Sequence, residues 1–426
     1  MGSVRGFRGP GRSWWHGLWP ALTVVLLAAM AIPALASAAG PGSVGESNDP
    51  IWVYDPGVGR YGGWHWDAAT RRWVLLEVRD GTPNGSGESV ASDGPGESAA
   101  SKGRPPEDGR TQRPAFFVDC RSGDDAASGT RASPWRTPAA LSRRPLPARA
   151  VVFLQRGCAW DGQVTLAGEE IALAAYGEGE PPTISARDAD REAGAVVVES
   201  PGGLVTGIRV RDTAGAGIKL AAQGATAYDL EVTDVAFGVR FTAPHTVADQ
   251  VRAHDLHLFT STPTSQNADD DSGAVGFNVE STDVTVQNCA CFDCRAPSAD
   301  YGHDGGFVEI WREGDRLRVL NNIGDNVEGF LEIGGIKGSG DAVDGVLLQG
   351  NKVARVHARA VNINLGGQYD IPVRGMVLRD NVMQVVDGPA LVGDTSGVDM
   401  DDSNRIGRDV PPPVVAPSGD VGSADS

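Results

Sequence analysis

Two glutamates occupy near-identical settings 23 residues apart, Phe307-Val308-Glu309-Ile310 and Phe330-Leu331-Glu332-Ile333. In each, apolar residues flank one outward-facing carboxyl, the in–out–in alternation of a strand. A close carboxyl pair is acid–base equipment. Like charges placed together push one pKa up, so one residue type supplies both a proton donor and a carboxylate. Enzymes that cleave glycosidic bonds hold such pairs about 5–5.5 Å apart when they retain configuration and about 6.5–9.5 Å apart when they invert it.

The same alternation recurs at Gly217-Ile218-Lys219-Leu220, Gly238-Val239-Arg240-Phe241, Gly276-Phe277-Asn278-Val279 and Val361-Asn362-Ile363. Aligned on the middle residue, the outward column reads Lys219, Arg240, Asn278, Glu309, Glu332, Asn362. If each segment stacks on the next, these side chains stand about 4.8 Å apart. Glu309 and Glu332 then fall at the shorter, retaining distance, and Lys219, Arg240, Asn278 and Asn362 become substrate-binding candidates along a groove.

Two gaps in the column are too long for a compact repeat. The surplus lies in Thr260 to Gly273, with Asp269-Asp270-Asp271, and in Ala296 to Gly305, with Asp300-Tyr301-Gly302-His303-Asp304. Both enter the column from the same side and are expected to wall it. Asp304 and His303 are candidates to supply or orient the acid, and Tyr301 and Trp311 to stack on a sugar ring. Asp269 and Asp271 have the hard oxygen ligands that Ca²⁺ takes, though a solvated acidic loop has the same composition. No other metal or cofactor is expected. His254 and His257 fall on another repeat and receive no role.

The elements that must position these residues are short strands. A second series of alternations runs through Ile208–Val210, Leu230–Val232, Val284–Val286, Leu317–Val319, Val346–Leu348 and Met376–Leu378, often followed by Asp or Asn, as at Asp212, Asp234, Asn288, Asn321, Asn322, Asn351 and Asn381. These residues tolerate turn conformations. No stretch of 150–393 keeps helical period for three turns. Short strands recurring every 21–31 residues, with 57 Gly and 27 Pro in the chain, describe a solenoid whose coils bury their apolar residues only by stacking. The expected fold is therefore all-β, a right-handed parallel β-helix over 115–393.

Around it the chain divides by composition. Residues 1–39 read as a signal peptide, with Arg5, Arg8 and Arg12 before an apolar run from Leu18 to Ala34 and small residues to Ala38. Residues 51–80 hold Trp52, Tyr54, Tyr61, Trp64, Trp66 and Trp73 and read as a small aromatic hairpin module. Its tryptophans suit either sugar stacking or the module's own core. Residues 81–114 read as a disordered linker and 394–426 as a disordered acidic tail.

Signal cleavage removes three Arg and no acid, taking the net charge from −18 to −21. That excludes nucleic acid and anionic membrane surfaces as partners, since both require basic patches. The expected product is an extracellular or cell-envelope monomer that stays off the membrane once processed. Export also permits disulfides. Cys120 and Cys158 flank the first turn of the solenoid and are expected to pair. Among Cys289, Cys291 and Cys294 one must stay free or pair elsewhere. Cys291-Phe-Asp-Cys294 has zinc or redox spacing but no second ligand pair, so burial or a structural bond fits it better.

The opening Phe116-Phe117-Val118-Asp119-Cys120, then Gly123-Asp124-Asp125 to Thr130 and Pro134-Trp135-Arg136-Thr137, resembles that of secreted, pectate-lyase-like parallel β-helix proteins. Phe153–Trp160, Ala175–Gly179 and Asn321-Asn322 with Gly329–Gly335 extend the resemblance over roughly 115–390. Where that group has Pro-Gly-Asp before the first strand, this chain has Pro147-Ala148-Arg149. The resemblance implies the fold and a polysaccharide partner, but the group spans several activities. Three functions stay open. The first is a glycoside hydrolase using Glu309 and Glu332. The second is a lyase or epimerase, with His303 or Lys219 as base and Arg240 or Ca²⁺ as neutraliser. The third is a non-catalytic carbohydrate-binding or envelope protein.

Overall fold

The structure is a computed structural model. It describes residues 113–267, 269–363 and 369–415, and the backbone of strands at 51–55, 60–67 and 72–80. The expected signal peptide, almost all of the expected linker and the last residues of the expected tail lie outside the described residues, as do the side chains of 51–80.

From Ala115 onward most strands are short and pair in parallel with strands about one coil earlier and later in sequence. The chain therefore winds as a parallel β-helix with three strand columns. One column runs through Val164–Leu166, Val196–Val198, the ends of Arg209–Leu220 and Thr226–Phe241, Val275–Val279, Gly306–Trp311, Val327–Gly334 and the end of Lys352–Asn362. A second includes Val247–His254, Thr285–Gln287, Arg318–Leu320, Leu347–Gln349 and Met376–Arg379. A third includes Ala159–Asp161, Thr183–Ser185, Ala290–Phe292, Ile323–Asp325 and Val382–Val385.

The second sequence series therefore merges two faces. Leu230–Val232 lies in register with Val251–Ala253 and the strand at Ala290, whereas Val284–Val286 lies in register with Val247 and Ala248. All three faces carry the same two-residue alternation, so alternation alone cannot assign a strand to its face.

Inside, apolar side chains stack from coil to coil. Phe277, Phe307 and Phe330 are fully buried, with ring centroids 5.5 and 5.2 Å apart. At one corner a file of buried asparagines does the work of main-chain pairing. Asn322 donates to Asn351 and to the Val286 carbonyl, Asn351 to Asn381 and Val319, and Asn381 to Asn404 and Leu348, at 2.8–3.0 Å. Asn322 also accepts from the Cys289 amide. Of the positions read as turn formers, Asn322, Asn351 and Asn381 thus form an interior ladder that satisfies polar groups otherwise stranded at the bends, while Asp212, Asp234, Asn288 and Asn321 take the left-handed backbone of a turn, with φ of 52–55°.

The solenoid runs past its expected end. Val398–Met400 and Arg405–Gly407 continue two of the columns, Val398 and Ile406 pack on the core, and Asn404 closes the ladder. Residues 394–407 are a final coil rather than the start of the tail. Their high Asp content hid two short apolar positions. At the other end Cys120 and Cys158 are disulfide-bonded with Cα atoms 5.8 Å apart. Cys291 bonds Cys294, and Cys289 is free and buried. Strands Ile51–Asp55, Arg60–Asp67 and Arg72–Asp80 pair in antiparallel order.

Candidate active site

The outward column forms in the register read from the sequence. Lys219 pairs with Arg240, Arg240 with Asn278, Asn278 with Glu309, Glu309 with Glu332, and Glu332 with Asn362. Parallel in-register stacking superposes equivalent side chains, so the centre of the column reads Asn–Glu–Glu–Asn, each step one strand spacing.

Glu309 and Glu332 are partly buried, and Asn278 and Asn362 are 3% and 6% exposed. Burial pushes the Glu309 carboxyl up to about 8. The charges of Glu332, Asp304 and Glu280 push the same way, while a hydrogen bond with Asn278 opposes them. Burial, with the charge of Glu328, raises Glu332 as well, and the hydrogen bond with Asn362 and the Arg359 guanidinium only partly oppose the rise. The Oδ1 atoms of Asn278 and Asn362 are buried without a partner among the described residues. Each is an acceptor beside a carboxyl, able to take a bond from a protonated acid or a sugar hydroxyl.

Asp304 arrives from the wall. The two surplus segments fold as hairpins: Leu258–Thr260 pairs with Ser272–Gly273, and Ala296–Ser298 with Gly302–Asp304. Burial and the neighbouring Glu332 push Asp304 up to about 7, so it joins the glutamates as a third carboxyl. His303 does not. It is exposed, and adjacent residues of a strand face opposite ways, so the strand that delivers Asp304 turns His303 away.

The acidic wall residues act as fasteners. The buried Asp271 carboxylate accepts from the Thr262 amide at 2.8 Å, Ser298 Oγ at 2.7 Å and the Ala299 amide at 2.7 Å, stitching the hairpins together. Desolvation would raise its pKa, but these donors outweigh it and hold Asp271 below its usual value. Asp270, Asp271 and Asp300 have carboxylate oxygens within 4.8 Å of one another. Asp271 is already committed to this stitching. Of the residues named as Ca²⁺ candidates, Asp271 falls in this cluster and Asp269 outside it.

The basic end of the column is also committed. Arg240 is held by Glu280 at 2.7 Å and Glu192 at 2.8 Å, and Lys219 donates to the Glu192 carbonyl at 3.0 Å. Lys219 lies three rungs from Glu309. Trp311, two residues beyond Glu309 on the same outward face, meets Tyr369 with ring centroids 5.8 Å apart. Sequence reasoning missed Tyr369 and Arg359, because neither lies in an aligned alternation and only the coil geometry brings them to the site. His254 is fixed by Glu231 and Asp255, and His257 by two main-chain carbonyls, leaving both as structural residues.

The chain matches no protein-family model and no curated sequence. Among solved structures it is similar to pectate lyase Pel9A, at 13% identity and a TM-score of 0.41 over 70% of this chain and 80% of that one. It is also similar to a GH136 lacto-N-biosidase from Eubacterium ramulus, at 12% identity and 0.37 over 69% and 67%. An alginate lyase from Paenibacillus gives 15% identity and 0.38 over 61% and 96%. The strand pairing itself defines the class, a parallel β-helix. The resemblance to pectate-lyase-like β-helix proteins drawn from the sequence holds at the level of that fold.

Proposed function

We propose that this protein is an exported enzyme that cleaves a glycosidic bond in a polysaccharide by carboxyl acid–base chemistry. The observation that carries the reading is the in-register Asn278–Glu309–Glu332–Asn362 column with Asp304 beside it. Glu309, protonated up to about pH 8, is the general acid toward the leaving oxygen. Glu332, supported by Asn362 and Arg359, is the carboxylate that attacks the sugar or activates water. Asp304 holds a proton near neutrality and can relay it between them. Trp311 offers an apolar ring face beside the acid. Two disulfides fit an oxidising compartment and so support the exported reading. We take the winding to be right-handed, as parallel crossovers overwhelmingly are.

One observation favours β-elimination as a second reading. Arg359 is exposed, near enough to Glu332 to oppose the rise that burial gives its pKa, and makes no ion pair among the described residues, so it could neutralise a uronate. The bases expected for that route fit less well, since Lys219 is tied to Glu192 and His303 faces away. Products decide between them. Incubation with a panel of neutral and uronate polysaccharides should yield new reducing ends without the ultraviolet absorbance of an unsaturated sugar, and Glu332→Gln should lower the rate by about 10³-fold. Unsaturated ends would transfer the assignment to the lyase reading. Near-normal turnover by folded Glu332→Gln would remove the column from the mechanism.

A further inference from the structure

The wall does not stay on its own side of the column. Tyr301, on the hairpin that precedes the Glu309 strand, donates its hydroxyl to Asp269 Oδ1 at 2.7 Å. The Tyr369 hydroxyl donates to the Asp269 carbonyl at 3.3 Å across 100 residues of sequence. Tyr369 in turn packs on Trp311, which follows Glu309 on its strand. A line of contacts therefore leaves the Glu309 strand beyond the carboxyl, passes through Trp311, Tyr369 and Asp269, and returns through Tyr301 to the hairpin bearing Asp304.

The placement of its two ends gives this line its direction. Asp269 and Tyr301 belong to the hairpins that precede the column strands, whereas Tyr369 sits at the far ends of both glutamate strands, packed on Trp311 and accepting from the Gly335 amide at 3.1 Å. The line therefore runs from the near ends of the column strands, where the hairpins stand, to the far ends, and crosses the outward face on which Glu309 and Glu332 sit. Its near end is anchored: the Asp270 amide donates to Asp300 at 3.1 Å, and Asp271 is pinned by Ser298 and the Thr262 and Ala299 amides. A long glycan bound along the column would lie parallel to the stacking direction and would meet this crosspiece.

We propose that Asp269, Tyr301 and Tyr369 form a clasp across the Glu309–Glu332 pair, so that the site receives the end of a glycan chain rather than its middle. The inference rests on the glycan-cleaving reading for its substrate, but its geometry is testable without one. Carbodiimide coupling of an amine to carboxyl groups, followed by peptide mass spectrometry, reports access to Glu309 and Glu332. Asp269→Ala/Tyr369→Phe removes both clasp bonds and should speed labelling of both glutamates about threefold or more, with labelling of Asp315 and Asp325 on other faces unchanged. Tyr301→Phe, which keeps the ring, is the second variant should the first unfold, and its labelling should shift in the same direction. Equal rates in the wild type and the folded variant would overturn the clasp whatever the activity.

On any polysaccharide whose cleavage requires Glu332, the wild type should release one short product from the outset with little early loss of viscosity. The unclasped variant should release mixed lengths and thin the solution sooner. A wild type that cuts at random from the start would overturn the chain-end assignment. A protein that cleaves nothing on the panel, yet shows the labelling difference, would retain the clasp and lose the enzymatic reading.

Discussion

Glu309 and Glu332 have the same side chain and stand one rung apart; burial raises both, and their neighbours differ. Glu309 faces Glu332, Asp304 and Glu280 with Asn278 as its counterweight, and its carboxyl reaches about 8. Glu332 has Asn362 and Arg359 on its other side. Activity that needs Glu309 protonated should fall as pH rises through about 8, and Glu309→Gln should remove that alkaline limb together with most of the rate. The same proton affects stability. Unfolded, Glu309 titrates near its ordinary 4.5; folded, it keeps its proton to about 8. Between those values the folded state binds more protons, so stability declines as pH rises. At pH 9, Glu309→Gln should be more stable than the wild type by about 2 kcal/mol, a figure reduced for the side chain's partial exposure. Denaturant midpoints at pH 5 and pH 9 would test this, and a variant less stable at both would contradict it. The glutamate pair was legible in the sequence because in-register stacking turns a repeated tripeptide directly into a column. Arg359 and Tyr369 were not, because their position depends on where turns bend the coil, and no spacing encodes that.

A coil is three short strands and three bends, and the bends decide which strand lies on which face. The buried asparagines show how. Asn351 donates to Val319 and Asn381 and accepts from Asn322, so one side chain serves three coils. Asn351→Ala should leave several buried polar groups unpaired at once and destabilise the protein by about 3 kcal/mol, with loss of protection in coils 317–385 measurable by hydrogen exchange. An effect below about 1 kcal/mol would mean that water replaces the missing amide. The file begins at Cys289, whose amide donates to Asn322. In the sequence these residues were visible only as polar punctuation after apolar triplets. Their identity as an interior ladder emerges once Asn322, Asn351, Asn381 and Asn404 are seen to share one corner. The same limit made two faces read as one series, since Leu230–Val232 and Val284–Val286 differ in their bends rather than in their alternation.

A stack in which each coil touches only its neighbours shares one core along its length but holds each coil only through the next, so stability is local and the ends are its weak points. At the amino-terminal end the Cys120–Cys158 bond closes a loop of 38 residues around the first strands. Trp135, 1% exposed and hydrogen-bonded to the Ala127 carbonyl, fills the cap beside it. In the chain-entropy account a loop of that length contributes about 4 kcal/mol at most. Because neighbour-only contacts confine the loss, Cys120→Ser/Cys158→Ser should loosen strands Ala115–Val118, Val151–Gln155 and Ala172–Tyr176. The coils from Val275 to Asn362, which carry the carboxyl column, should keep their protection. Hydrogen exchange resolved by peptide should therefore show a gradient that fades within two or three coils, with glycan cleavage at 25 °C retained and the unfolding onset lowered. Reductant should have little further effect on the double variant, since Cys291 and Cys294 are fully buried. A uniform loss of protection along the whole solenoid would instead mean that the coils unfold as one cooperative body. The site would then depend on the distant cap as much as on its own rungs.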